Sequence, residues 1–312
     1  MDRATASWCR TVAALVVAAA AAPPAFAFAS ELECQDLAQR QVVAGPDQDG
    51  RRLGFALFQA AERGCLDLAR GLLERGASVH ARDRNGDTAF LKAAASGHVE
   101  VARLLLERGA DPALRNIQGS PALFLAVEAN RPRMVEMLLG TAKVDPNGAG
   151  RSGVTPLAAA AFNGNERLVR VLLEHRADPG IADATGKAPI VYAAARGHLG
   201  IVRRLLDAGV AADARHGNGL TALMWAAGHA NDVPEEDGVA VVRLLLDRGA
   251  GLDLADDRGR TALMTAAERG HPGVVRLLLE RGADRGRRDL EGRTALDLAA
   301  DIGAVRDALA AG

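Results

Sequence analysis

The chain has 312 residues, 49% of them hydrophobic, which excludes a mostly disordered polymer and leaves enough apolar material for a sizeable core. Aromatic residues make up only 3% while Ala and Leu are abundant, which favours closely packed helices over a β-sandwich. A net charge of -1 gives the bulk electrostatics no means of recruiting nucleic acid or an anionic membrane.

The first predicted element, residues 1–29, is a targeting segment. Arg3 and Arg10 supply a positive start, Thr11 to Ala22 is an unbroken small-apolar run, and Pro23 and Pro24 break it. Ala27-Phe28-Ala29 then offers an A-x-A cleavage site before Ser30, with Ala25-Phe26-Ala27 as the alternative. An uncleaved anchor would need roughly 20 apolar residues, and the run before Pro23 is far shorter. No later stretch is apolar enough to span a bilayer. The mature chain is therefore expected to be soluble and monomeric, without membrane insertion, and periplasmic or secreted.

Residues 30–51 read as a helical or linker segment. Cys9 leaves with the leader, so the mature chain keeps Cys34 and Cys65, an even pair in an oxidising compartment. A disulfide between them would tie this segment to the first structural unit and contribute on the order of 3 kcal/mol. Two buried free thiols are the alternative.

From residue 52 the chain repeats. Gly86, Gly119, Gly153, Gly186, Gly219, Gly259 and Gly292 open similar blocks spaced 33 or 34 residues apart, except for a longer interval from Gly219 to Gly259. Each block runs through a Gly turn, a Thr-Ala/Pro-Leu start, an Ala-Ala pair, a Gly-His or equivalent break, a Val/Leu-rich run and a close such as Arg-Gly-Ala-Asp. In the block from Arg84 to Asn116, Thr88 is an N-cap candidate, and Ala93 and Ala94 permit close helix packing. Gly97 ends the first helix. Val101, Leu104 and Leu105 form one apolar face of the second, which Gly109 closes in a left-handed cap.

On these residues the chain resembles the ankyrin-repeat family. The best matches are Gly153-Val154-Thr155-Pro156-Leu157, Ala194-Ala195-Arg196-Gly197-His198, and the endings from Leu104 to Asp111 and from Leu277 to Asp284. The resemblance implies an all-α ankyrin-repeat solenoid of helix-turn-helix units with projecting β-turn loops. It covers 52–312 in eight units: 52–83, 84–116, 117–150, 151–183, 184–216, 217–256, 257–289 and 290–312. The family's histidine after Thr-Pro-Leu is replaced by Leu91, Phe124, Ala158, Val191, Met224, Met264 and Asp297, so apolar packing is expected to take over most of the links between repeats. Asn130 and Arg176 stand where a capping glycine is usual, which makes the third and fourth units the expected soft ones.

Catalytic motifs fail. Gly180 to Ala188 has five residues between its glycines and lacks Ser or Thr after Lys187, so it is no phosphate loop. Zinc-protease and nucleophile-elbow motifs are missing, and the two mature cysteines lack metal-ligand spacing. No catalytic residue, metal or cofactor is assigned. His98, His198 and His271 share one repeat position and read as structural; His229, beside the insertion, is kept apart.

A binding surface is the better-supported reading, with an unidentified protein as partner and nucleic acid excluded. Tyr192 and Trp225 lie 33 residues apart and should sit side by side on adjacent first helices, a candidate aromatic anchor together with Phe162 on what the resemblance makes a concave face. Rings filling gaps between helices are the bland alternative. The insertion of about Asn231 to Asp237 carries Asp232, Glu235, Glu236 and Asp237, with Pro234 preventing simple continuation of the helix. It reads equally as a binding loop or as solvated tolerance. Arginines near the junctions, among them Arg82, Arg115, Arg215, Arg258, Arg288 and Arg293, suggest a basic rim, more simply a solubility device. The chain is thus expected to chaperone, inhibit or scaffold a partner. Alternatives are an immunity or antitoxin-like inhibitor using the acidic loop, and a hydrolase using His229 with the insertion carboxylates.

Overall fold

The computed structural model describes residues 25–43, 49–141, 144–299 and 302–311. The proposed leader lies outside them as far as residue 24. Its remaining residues begin a helix, α1 (Ala25–Val43), that runs through both candidate cleavage sites.

The fold divides into two compact units, one comprising residues up to 83 with 88–110, the other 84–87 with everything from 111 onward. Among the described residues all regular structure is helical, and the helices after α1 come in eight pairs. The first unit holds α1, the pair α2 (Gly50–Arg63) and α3 (Leu66–Glu74), and the pair α4 (Ala89–Ser96) and α5 (Val99–Glu107). The second holds α6 (Ala122–Glu128) with α7 (Pro132–Leu139), α8 (Pro156–Phe162) with α9 (Glu166–Glu174), and α10 (Pro189–Ala195) with α11 (Leu199–Asp207). It continues through α12 (Ala222–Ala227) with α13 (Glu235–Asp247), α14 (Ala262–Arg269) with α15 (Pro272–Glu280), and α16 (Ala295–Leu298) with α17 (Gly303–Ala311).

The start of each first helix follows from local chemistry. Thr88, Thr155, Thr221, Thr261 and Thr294 each accept a hydrogen bond from the amide three residues on, satisfying one of the donors a helix leaves unpaired. Gly64, Gly97 and Gly270 end their helices in the left-handed region. Asn130 and Arg176 adopt that conformation without being glycine, at φ of 54° and 63°, and each bears a cost of about 1–2 kcal/mol that glycine avoids.

Within the second unit, first helices pack on first helices and second helices on second helices, giving two layers. Paired alanines such as Ala160 and Ala161, Ala193 and Ala194, and Ala226 and Ala227 are fully buried, because only small side chains let successive first helices approach this closely. Leu123, Leu138, Leu157, Leu172 and Leu205 fill the space between the layers, each contributing about 1.5–3 kcal/mol of apolar burial. In the first unit, Leu57, Leu72, Phe90, Leu91 and Leu105 do the same. Cys34 on α1 is bonded to Cys65, the residue just before α3, across 31 positions of sequence, so a covalent tie holds the N-terminal helix.

Apolar packing does not replace every polar link between repeats. Histidines of the Gly-His break supply them: Nε2 of His98 donates to the carbonyl of Glu62 at 3.0 Å, that of His198 to Phe162 at 3.2 Å, and that of His271 to His229 at 3.2 Å. Each closes the end of the preceding first helix, where backbone acceptors are otherwise free.

Candidate functional site

The turns that precede the first helices build the site's edge. In the second unit, Asn116, Asp183, Asp256 and Asp289 each open a turn three residues before its glycine. The Oδ1 of each accepts from the backbone amides two and four residues on, at 2.8–3.1 Å. Short acceptor side chains are what such a turn requires. Successive turns are then stitched by single backbone bonds, Ile117 to Asn85, Ala184 to Ser152, Gly217 to Gly186, Asp257 to Asn218 and Leu290 to Arg258. The stitching leaves no room for a side chain at Gly186, where a Cβ would stand 2.8 Å from the backbone of Gly217. Ile117 and Leu290, 73% and 79% exposed, project from two turn tips.

Most junction arginines are spent inside this edge. Arg115 donates to the carbonyls of Gly119 and Ala149, Arg215 to Gly219 and Ala255, and Arg288 to Gly292. Arg293 pairs with the buried Asp289 at 2.9 Å and Arg258 with the buried Asp256 at 3.1 Å. The basic rim read from the sequence is therefore largely a set of turn clamps. The aspartates paired with Arg258 and Arg293 also organise the turn backbone.

On the first-helix layer, the residue nine positions after the turn acceptor faces it. Asp183 and Tyr192 form this pair at 2.5 Å, hydroxyl to carboxylate. Burial works against the Asp183 carboxylate, but the Tyr192 hydroxyl and the amides of Lys187 and Thr185 outweigh it and hold its pKa below the ordinary value. Burial and the same hydrogen bond push the Tyr192 phenol well above its ordinary value. The tyrosine ring is fixed in turn against Phe162, edge to face at 5.9 Å, and Phe162 itself is 50% exposed. Arg196 lies 5.6 Å from the Phe162 ring centroid and grips both carboxylate oxygens of Asp232. A hollow of about 250 Å³ opens beside this cluster, lined by Phe124, Val154, Ala158, Phe162 and Tyr192 together with Glu128, Arg151 and Asn163.

The rings that meet are thus Phe162 and Tyr192, and not Tyr192 and Trp225 as the 33-residue spacing predicts. Tyr192 turns toward its own aspartate. The turn before Trp225 opens with His216, which offers no carboxylate, and Trp225 instead sits beneath the Lys187 ammonium, 5.3 Å from the ring centroid. Trp225 lines a second hollow of about 580 Å³ with Met224, Arg258, Arg260, Thr265 and Arg269.

The insertion differs from its reading as an acidic loop. Only residues up to Pro234 are non-helical; Glu235, Glu236 and Asp237 form the first turn of α13, lengthened to 13 residues, where carboxylates complement the positive end of the helix dipole. Asp232 is occupied by Arg196, which lowers its pKa, and Glu235 accepts the Gly273 amide at 2.5 Å. Glu236 and Asp237 remain exposed. His229 is 2% exposed and stacked on His271 at 3.8 Å, with Gly238 packed against its ring, so it belongs to the interior and not to a binding or reacting surface. The insertion functions as a brace linking three successive repeats.

Among the described residues no group of His, Cys, Asp or Glu is arranged to hold a metal ion, and no helix is long and apolar enough to cross a membrane. The sequence reading missed the recurrent turn acceptor three positions before most of the turn glycines, legible as Asp83, Asn116, Asp183, Asp256 and Asp289, with Gly150 and His216 at the equivalent places before Gly153 and Gly219.

A family model described as ankyrin repeats (3 copies) matches the chain in overlapping blocks over residues 27–116, 57–150, 112–183, 157–235 and 233–309. No curated protein matches it.

Proposed function

The chain belongs to the ankyrin-repeat family and is a protein-interaction scaffold, and we propose that it holds its partner protein on the first-helix face of the second unit, through Phe162, Tyr192 and Trp225. The observation that carries this reading is the Phe162–Tyr192 pair: an exposed ring held by a second ring whose hydroxyl is locked to Asp183. A partner meeting such a pair immobilises no floppy side chain, and rigid aromatic groups are the usual centres of binding energy. The scaffold works by surface complementarity, supporting or inhibiting what it binds. The compartment proposed for this activity is the periplasm or extracellular space, on the strength of the leader pattern and the Cys34–Cys65 disulfide. The internal duties of Asp232 and Glu235 weigh against an acidic loop that blocks a basic toxin.

The test is crosslinked capture from the oxidising compartment with the wild-type chain and with a Phe162→Ala/Tyr192→Ala variant of verified helical content. A partner present with the former and absent with the latter supports the assignment. A partner captured equally by both removes this face from the interaction.

A further inference from the structure

Resting on that scaffold reading, we infer that the hollow beside Trp225 is a recognition site for an acidic peptide segment of the partner, whose Asp or Glu carboxylate enters next to the indole. The hollow lies between two first helices, α12 and α14, of the same unit, with Leu220 and Trp225 on one side and Arg258, Arg260, Thr265, Glu268 and Arg269 on the other.

Its lining carries three arginines against one carboxylate, Glu268, which Arg260 occupies. Arg260 is nearly buried and already committed, to Glu268 at 2.6 Å and to Asp289 at 3.6 Å, so it forms part of the wall. Arg258 shares its carboxylate, Asp256, with two turn amides and keeps most of its guanidinium in solvent. Lys187, over the indole face, and Arg269, at the end of α14, have no carboxylate partner among the described residues. Arg269 and the partly committed Arg258 thus line the hollow, and Lys187 lies over the Trp225 ring. The indole N–H of Trp225 is also enclosed and finds no acceptor. Leaving a covered donor unpaired is unfavourable, and a carboxylate that reaches the edge of the indole supplies the missing acceptor.

This combination selects a peptide over a bare anion. A carboxylate satisfies Lys187, Arg269 and the indole N–H, while the indole and Leu220 offer apolar contact to the flanking residue, which an inorganic anion does not use. The hollow at Phe162 and Tyr192 is lined mainly by apolar side chains, with Glu128, Arg151 and Asn163 also in its wall, so an apolar residue of the same segment suits it.

The experiment uses the full chain carrying Trp8→Phe, which leaves Trp225 as the single indole, and a synthetic peptide of alternating Leu and Glu. Its Gln-for-Glu counterpart and tripolyphosphate are the comparison probes. Binding is followed by Trp225 emission and by calorimetry. The expected result is an emission change with the Glu peptide, weakened about tenfold by Arg269→Gln with Lys187→Gln. The same binding weakens markedly between about 50 and about 300 mM salt. Equal binding of the Gln peptide, tighter binding of tripolyphosphate, or an unchanged affinity in the double variant overturns the inference. A silent peptide alongside partner capture that still depends on Phe162 and Tyr192 overturns it while leaving the scaffold face standing; loss of both removes the two together. Thermal melts that match the parent keep the charge variants interpretable.

Discussion

Breaking the Cys34–Cys65 bond, by reduction or by Cys34→Ser with Cys65→Ser, should release α1 while leaving α4 and α5 folded. Among its described side chains few other contacts hold this helix. Of its described side chains Leu37 is the fully buried one, at 3% exposure, worth about 1.5–3 kcal/mol. Its ion pair to the body, Glu33 with Arg63, is solvent-exposed at 4.0 Å and contributes close to nothing. Ordering the helix costs about 1–2 kcal/mol for every residue fixed, so helix propensity and one leucine leave it marginal. The crosslink closes a loop of 31 positions, for which the chain-entropy relation gives about 3.7 kcal/mol. That is about a 500-fold rise in the opening equilibrium of α1 once the bond is gone. Hydrogen exchange read by mass spectrometry on peptides spanning residues 31–40 should show protection collapsing on reduction, while peptides from α5 keep theirs. Equal protection of α1 in both redox states would refute the reasoning, because packing alone would then suffice.

Three further outcomes follow from the turns and the first-helix face. Gly186 and Gly249 share a left-handed backbone, at φ of 79° and 85°, but a Cβ at Gly186 meets the Gly217 backbone whereas at Gly249 it meets nothing. Gly249→Ala should cost about 1 kcal/mol of strain and Gly186→Ala at least about twice that, and equal midpoints in urea would show that turn stacking does not constrain the chain. Tyr192→Phe removes the hydroxyl from the Asp183 carboxylate in a half-buried setting and should destabilise by about 1 kcal/mol while raising the Asp183 pKa toward its ordinary value, measurable by carboxyl NMR titration. Burial, then the neighbouring His229, depresses the pKa of His271, and burial does the same for His216. Because the unfolded chain takes up those protons first as pH falls, their contribution is intact above about pH 6.5 and is lost progressively below it. The depressed Asp183 and Asp297 carboxylates act only in more acid solution. Melting temperature should therefore fall between about pH 7 and about pH 5, and fall less in His271→Gln; a flat profile for both proteins would contradict the assignment.

What was legible in the sequence is what a single repeat dictates to itself. Thr88, Gly97 and the Ala93-Ala94 pair act within one block, through caps and close packing whose partners lie a few residues away, and they appear in the fold as they read in the chain. The disulfide was legible for a different reason, since Cys34 and Cys65 are the two cysteines outside the expected leader. What was not legible depends on which of two competing neighbours a side chain chooses. Tyr192 and Trp225 occupy the same position in successive first helices, yet one bends to its own turn because residue 183 is an aspartate, and the other does not because residue 216 is a histidine. The choice is set nine residues upstream, and a reading that aligned the aromatics alone passed over it. Pro234 illustrates the same limit from the side of the backbone. Proline stops a helix that runs into it, but immediately before Glu235-Glu236-Asp237 it begins one, since those carboxylates suit the amide-rich end. Taken with the ion pair from Asp232 to Arg196 and the bond from Glu235 to the Gly273 amide, the extra residues brace the fifth, sixth and seventh repeats. They hold in register the first helices that carry Tyr192 and Trp225. The longest departure from the repeat period thus serves the candidate face by supporting it from behind, which is a role that position in sequence alone cannot distinguish from direct contact.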